Sequence, residues 1–200
     1  MRLTAIVLAA GRSQRFGTEN KLLVDVDGKA VIARTVAAVT AIFDDAIVVT
    51  GCDHAAIATV LSGCAVRLVR CAGDQDGLGF SIATGVRALN GDQDGALILP
   101  GDMPLVTPRT LRDVADGFAL HGGRRIVHAV DREGNQRNPV LWPHNHFATL
   151  GALVGDRGGK GLIADAVTVS PRDDVELIDI DDRAALDQVR EIFLRCYPAV

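Results

Sequence analysis

Aromatic residues are scarce in this chain: one Trp, one Tyr and six Phe make up 4% of its 200 residues. Binding single-stranded nucleic acid by successive base stacking needs such rings, so that function class is excluded. An excess of positive charge is lacking too. Lys and Arg number 21 against 25 Asp and Glu, for a formal net charge of −4. Without a basic field, nucleic acid is not an expected partner, and a small anionic ligand has to be held by local groups. No apolar run approaches the roughly 20 residues of a membrane span, so no membrane partner is expected either. The apolar stretch 3–10 is preceded only by Arg2 and runs straight into a loop suited to phosphate, which is not the pattern of a signal peptide. The four cysteines, Cys52, Cys64, Cys71 and Cys196, show no ligand spacing. Each lies in or beside apolar sequence, so they are expected as core thiols of a cytoplasmic protein.

Two familiar phosphate-binding fingerprints are also missing. After the first apolar run, Gly11 is followed by Arg12 and Ser13, so Gly-x-Gly-x-x-Gly does not form; Gly17 is followed by Thr18 and Glu19, so Gly-Lys-Ser/Thr does not form. What is present instead is VLAAGRSQRFGTENK, from Val7 to Lys21. An apolar strand opens onto two glycines that bracket Arg12, Ser13 and Arg15, with Lys21 following. Glycines let backbone N–H groups approach an anion, and Arg and Lys add the charge that a triphosphate uses.

The remainder alternates. Strands are predicted at 3–10, 46–50, 65–69, 96–99, 125–130, 139–142, 167–169 and 175–180 from short β-branched or apolar runs bounded by turn residues. Helices are predicted at 31–43, 55–61, 80–89, 107–120, 144–153 and 183–194 from apolar spacing, with a short helical piece at 162–166. Thr107 followed by Pro108 reads as an N-cap and first helical position. With 48% hydrophobic residues and no linker, all 200 residues are expected to form one domain. The expected fold class is α/β: a three-layer α/β/α sandwich with a Rossmann-like, mostly parallel sheet and its ligand at the C-terminal strand edges.

Several further segments carry chemistry. In LPGDMP, Asp102 ends an apolar strand among Gly and Pro, where a carboxylate either holds Mg2+ against phosphate oxygens or bonds its own turn. Asp179, Asp181 and Asp182 lie where a strand gives way to the last helix. Alternation would put Asp179 and Asp181 on one face, with N-capping by Asp181 or Asp182 as the other reading. Gly77, Gly79 and Ser81 open a helix and are expected to offer free N–H groups. Asn138-Pro139 and the Gly-rich loop 155–161 provide polar and cationic groups further along. His144 and His146, without a third ligand, do not make a zinc site.

The pattern Leu8-Ala9-Ala10-Gly11-x-Ser13-x-Arg15-Phe16-Gly17-x-x-x-Lys21 resembles the signature of nucleotidyltransferases of the MobA-like family. The resemblance implies the nucleotide-diphospho-sugar transferase type of fold and a Mg2+-dependent transfer of a nucleoside monophosphate to a phosphorylated acceptor, with release of pyrophosphate. It places Leu8, Ala9, Ala10, Gly11, Arg12, Ser13, Arg15, Lys21, Gly79 and Ser81 at the nucleotide. Arg15, Lys21 and Asp102 carry the reaction, and Asp102 with Asp181 holds the metal. Asn138, Pro139, Asp156 and Gly158 face the acceptor, expected to be molybdopterin, with a molybdenum hydroxylase as recipient. Ala10 in the Ala-Ala-Gly form implies CTP rather than GTP, because a methyl there crowds a purine. GTP or a sugar phosphate as substrate, and a carrier that binds nucleotide or cofactor without turnover, are the alternatives.

Overall fold

The computed structural model describes residues 1–11, 16, 19–71, 77–163 and 165–196. Arg12, Ser13 and Arg15, expected at the nucleotide, and Gly17, which closes the same loop, lie outside the described residues.

Nine strands are formed among the described residues: β1 (Leu3–Ala9), β2 (Asp25–Val26), β3 (Lys29–Ala30), β4 (Asp45–Thr50), β5 (Arg67–Arg70), β6 (Gly95–Pro100), β7 (Val127–Val130), β8 (Gln136–Pro143) and β9 (Val167–Val169). The main helices are α1 (Val31–Thr40), α2 (His54–Val60), α3 (Leu78–Arg87), α4 (Pro108–Leu120), α5 (Phe147–Gly151) and α6 (Arg183–Cys196). Seven strands make one sheet in the order β5-β4-β1-β6-β8-β7-β9. Strand β1 lies parallel to both β4 and β6, whereas β8 runs antiparallel to its neighbours β6 and β7. β2 and β3 form a separate small hairpin.

The alternation of β1 distributes the core. Ala5, Val7 and Ala9 point to the face covered by Ile32 and Val36 of α1, Leu111 and Val114 of α4, and Leu186 and Val189 of α6. Ile6 points to the opposite face, with Ile82 and Val86 of α3 and Leu150 of α5. The fold is therefore the expected three-layer α/β class. Each buried Val, Leu or Ile among these contributes about 1.5–3 kcal/mol by leaving water. Gly85 is required by this packing, because a Cβ there would come within 2.5 Å of Ile6 Cγ2.

Four expectations are corrected. Residues 175–180 do not form a strand. Asp174–Leu177 is a 3-10 turn capped by Asp173, in which Glu176 is held by Thr107 and Thr110 at the start of α4. The helix expected at 144–153 is a 3-10 turn, His144–His146, followed by the short α5. The helical piece expected at 162–166 lies earlier, as the 3-10 turn Gly159–Leu162. Of the cysteines, only Cys71 is buried as expected; Cys52 and Cys64 are exposed thiols on loops, and the side chain of Cys196 lies outside the described residues. No helix among the described residues is long and apolar enough to cross a membrane.

Candidate active site

The C-terminal edge of the sheet gathers residues from three distant segments. Lys21 opens a short 3-10 helix, Lys21–Leu23, whose N-cap is Asn20. The Asn20 side chain accepts from the Leu22 N–H at 2.9 Å and donates to Asp53 at 2.7 Å, while Leu22 is anchored in the core. Capping on one side and burial on the other leave the lysine aimed across the strand ends.

Asp102 is placed just as firmly. The Gly101 N–H donates to the Leu8 carbonyl at 2.9 Å, Thr35 Oγ1 donates to the Gly101 carbonyl at 2.9 Å, and a Cβ on Gly101 would come within 2.6 Å of Ile32 Cδ1. The third segment arrives when the Ile180 N–H donates to the Asp102 carbonyl at 3.0 Å. This brings Asp181 to the site. Asp182 caps α6 by accepting from the Ala185 N–H at 2.8 Å. The two readings of the acidic cluster thus divide between neighbours: Asp182 caps, and Asp181 faces the lysine.

Lys21 Nζ sits 2.5 Å from Asp102 Oδ2 and 3.2 Å from Asp181 Oδ1. Burial works to lower the Lys21 pKa, but the charges and hydrogen bonds of Asp102 and Asp181 outweigh it and hold the ammonium above its usual 10.5. Burial holds the Asp102 carboxyl above its usual 3.8. Lys21 opposes that shift and the charge of Asp179 adds to it. The other oxygen, Asp102 Oδ1, is buried without a hydrogen-bond partner among the described residues. A buried, unpartnered carboxylate oxygen suits a hard divalent cation, and with Asp181 it supplies the few protein carboxylates that Mg2+ takes when phosphate oxygens complete its shell. No cluster of three or more His, Cys, Asp or Glu with metal-holding geometry occurs among the described residues.

A second region lies beside the first. A cavity of about 290 Å³ is lined by Leu8, Pro100, Asn138, Gly158, Lys160 and Trp142, among others. Leu8 and Asn138, expected at nucleotide and acceptor respectively, therefore share one cavity, and Arg137 and Lys160 give it positive charge. Pro139, joined to Asn138 by a cis peptide bond, and the exposed Asp156 do not line it. Of the remaining expected residues, Ala9 is buried against the α1 face, Ala10 is half-buried and Gly11 is exposed.

The start of α3 was expected to offer free N–H groups, and the structure instead closes it. The Gly79 N–H donates to the Gly155 carbonyl at 2.8 Å, and the Ser81 hydroxyl donates to the Gly77 carbonyl at 3.2 Å. A Cβ on Gly79 would lie 2.6 Å from the Arg157 carbonyl oxygen, and one on Gly77, whose φ is +114°, 2.4 Å from the Gly155 carbonyl. Glycine is needed here because backbone meets backbone.

Sequence reasoning missed Arg183 and Glu176. The Arg183 guanidinium lies 5.2 Å from the centre of the Phe16 ring and 3.4 Å from Glu19, joining α6 to the loop after β1. It stands directly after the Asp181-Asp182 pair, but an exposed Arg carries no signal without its partners.

Three segments converging on a cation and two carboxylates, beside a largely apolar cavity edged by cationic groups, at the C-terminal strand edges define a nucleotide-binding α/β protein of nucleotidyltransferase type. The chain belongs to the MobA-like NTP transferase family, whose domain it matches over residues 5–171. It is 36% identical over 192 residues to the Haloferax mediterranei protein named "Probable molybdenum cofactor guanylyltransferase", covering 91% of this chain and 84% of that one. Among solved structures, a nucleotidyl transferase from Methanothermobacter is 28% identical with a TM-score of 0.77, covering 98% of this chain and 99% of that one. Rv0371c of Mycobacterium tuberculosis H37Rv in complex with manganese is 24% identical, with a TM-score of 0.74, covering 96% of this chain and 99% of that one, and shows the shared fold.

Proposed function

We propose that this protein transfers CMP from CTP to the terminal phosphate of a molybdopterin-type acceptor. The observation that carries this reading is the Lys21–Asp102–Asp181 constellation with its unpartnered Asp102 Oδ1. Asp102 and Asp181 would hold Mg2+, which when bound supplies charge neutralisation to the triphosphate. Lys21, drawn from the carboxylates to the phosphates, steadies the charge that develops on the departing oxygens, and Arg15 is assigned the same task by its place in the motif. A phosphate oxygen of the acceptor attacks the α-phosphorus in line. The new P–O bond forms as the α–β bridge breaks, and pyrophosphate leaves with the bridging electrons. The attacking phosphate is already ionised, so no general base is needed and catalysis is positioning plus electrostatics.

The cavity beside Asn138 and Gly158 is assigned to the acceptor. Arg137 and Lys160 suit its phosphate, and Trp142 with the apolar wall suits a flat ring system. A molybdenum hydroxylase is the recipient proposed for the product. For the base, Ala10 favours CTP, whereas the name of the Haloferax relative favours GTP as a second reading. Pyrophosphate release with Mg2+, molybdenum-loaded molybdopterin and each of CTP, GTP, ATP and UTP in turn decides between them. Release with CTP supports the full reading, release with GTP keeps the mechanism and discards the base assignment, and binding without release favours a carrier.

A further inference from the structure

Glu176 was not singled out by any motif, yet it is buried and its carboxylate receives two short hydrogen bonds. Thr107 Oγ1 and Thr110 Oγ1 each lie 2.5 Å from Glu176 Oε2. Both threonines belong to the first turn of α4. Thr107 is its N-cap and accepts from the Thr110 N–H at 3.2 Å, so its hydroxyl is engaged in both directions. The carboxylate thus sits at the end of the helix where negative charge is favoured, and charge-assisted bonds of this kind are the stronger class.

The placement of this contact gives it a consequence for the site. Glu176 lies in the 3-10 turn Asp174–Leu177, from which the chain runs through Ile180 to Asp181. That run joins no strand of the sheet. Near the site it is held by the Ile180 N–H on the Asp102 carbonyl, by the fully buried Ile180 side chain, and by Asp181 on Lys21. At the other end it is held by Glu176 on α4, the helix that begins a few residues after Asp102. Both carboxylate segments of the site are therefore referred to one helix terminus.

We propose that Glu176 is a positioning residue. By fastening the segment that carries Asp179 and Asp181 to the N-terminus of α4, it sets the spacing between Asp181 and Asp102 that a divalent cation requires. This rests on the reading of Asp102 and Asp181 as metal ligands. Partners that orient metal ligands typically change metal affinity about 10–100-fold when removed.

The test uses the full-length protein, without nucleotide or acceptor. Mn2+ alone is titrated by electron paramagnetic resonance into wild type, Glu176→Met, Thr110→Val and Thr110→Ser, and hydrogen exchange of the Ile180 amide is followed in the metal-free proteins. Glu176→Met should weaken Mn2+ binding by about tenfold or more, Thr110→Val by a few-fold, and Thr110→Ser, which keeps the donor, should restore it. The Ile180 amide should exchange faster in the first two variants and at the wild-type rate in the third. If Glu176→Met fails to fold, the two Thr110 variants carry the comparison. A lowered unfolding midpoint with unchanged Mn2+ affinity and unchanged Ile180 exchange would make the contact merely structural and overturn the proposal. Failure of the wild-type protein to bind Mn2+ would instead overturn the metal site and the positioning role with it.

Discussion

Lys21 Nζ and Asp102 Oδ2 lie 2.5 Å apart, the half-buried lysine delivered by the 3-10 helix Lys21–Leu23 and the buried aspartate by the end of β6. The pair is asymmetric. Lys21 has a second carboxylate within reach in Asp181, whereas Asp102 keeps one oxygen without a partner among the described residues. Losing the lysine therefore leaves a buried charge uncompensated, but losing the aspartate does not.

That asymmetry sets a stability order. Lys21→Met should destabilise the metal-free protein by about 3 kcal/mol at neutral pH, in the range for removing one partner of a buried pair. Asp102→Asn should change stability by no more than about 1 kcal/mol, because it also relieves the burial of a charge. Denaturant unfolding of both variants measures this; equal losses, or the reverse order, would show that the pair is not built as described.

The pH dependence follows from the same contact. Burial opposes the Lys21 charge, yet Asp102 and Asp181 raise its folded pKa above 10.5. A raised pKa means that stabilisation is fully present below the unfolded value and is lost as pH climbs through the folded one. The difference in unfolding midpoint between wild type and Lys21→Met should therefore stay level from about pH 7 to about pH 10 and shrink above 10.5. A difference that shrinks below pH 9 or so would contradict the direction of the shift.

Gly79 joins the start of α3 to the loop around Gly155. Gly79→Ala must push that loop away, at about 1–3 kcal/mol of overpacking, and the displaced loop leads directly into Gly158 and Lys160 of the cavity. The KM for the acceptor should rise several-fold while Mn2+ affinity stays at the wild-type level. Steady-state kinetics with a parallel Mn2+ titration separate the two effects.

Ala10→Gly tests the base assignment. Removing the methyl should raise kcat/KM for GTP relative to CTP by about tenfold, the scale of one methyl-sized steric difference in a pocket. An unchanged ratio would place base selection elsewhere.

Much of this architecture was legible in the sequence because the signals were local. The continuous apolar run of β1, the Thr107-Pro108 cap of α4 and the glycines of the turns all report their own backbone state, and β1 and α4 formed near their expected places. The segment 175–180 was misread because its β-branched residues resemble a strand while the backbone there is held by long-range contacts, Glu176 on Thr107 and Thr110 and the Ile180 N–H on the Asp102 carbonyl, that no local pattern reports. The site was legible to the extent that its residues sit in chemically distinctive loops: Lys21, Asp102 and Asp181 converge, although only Asp102 directly follows a strand. The glycines 77 and 79 read as ligand-facing because glycine signals close backbone approach without saying to what; here the partner is the loop at 154–157.

The most direct test of the proposed reaction is transfer of label from α-³²P-CTP to molybdenum-loaded molybdopterin, followed for wild type and for folded Asp102→Ala. Labelled acceptor and stoichiometric pyrophosphate are expected from wild type, with turnover in Asp102→Ala reduced by about 100-fold or more. Bound but untransferred CTP in wild type, or an Asp102→Ala rate equal to that of wild type, would contradict the assignment of this site as the centre of nucleotidyl transfer.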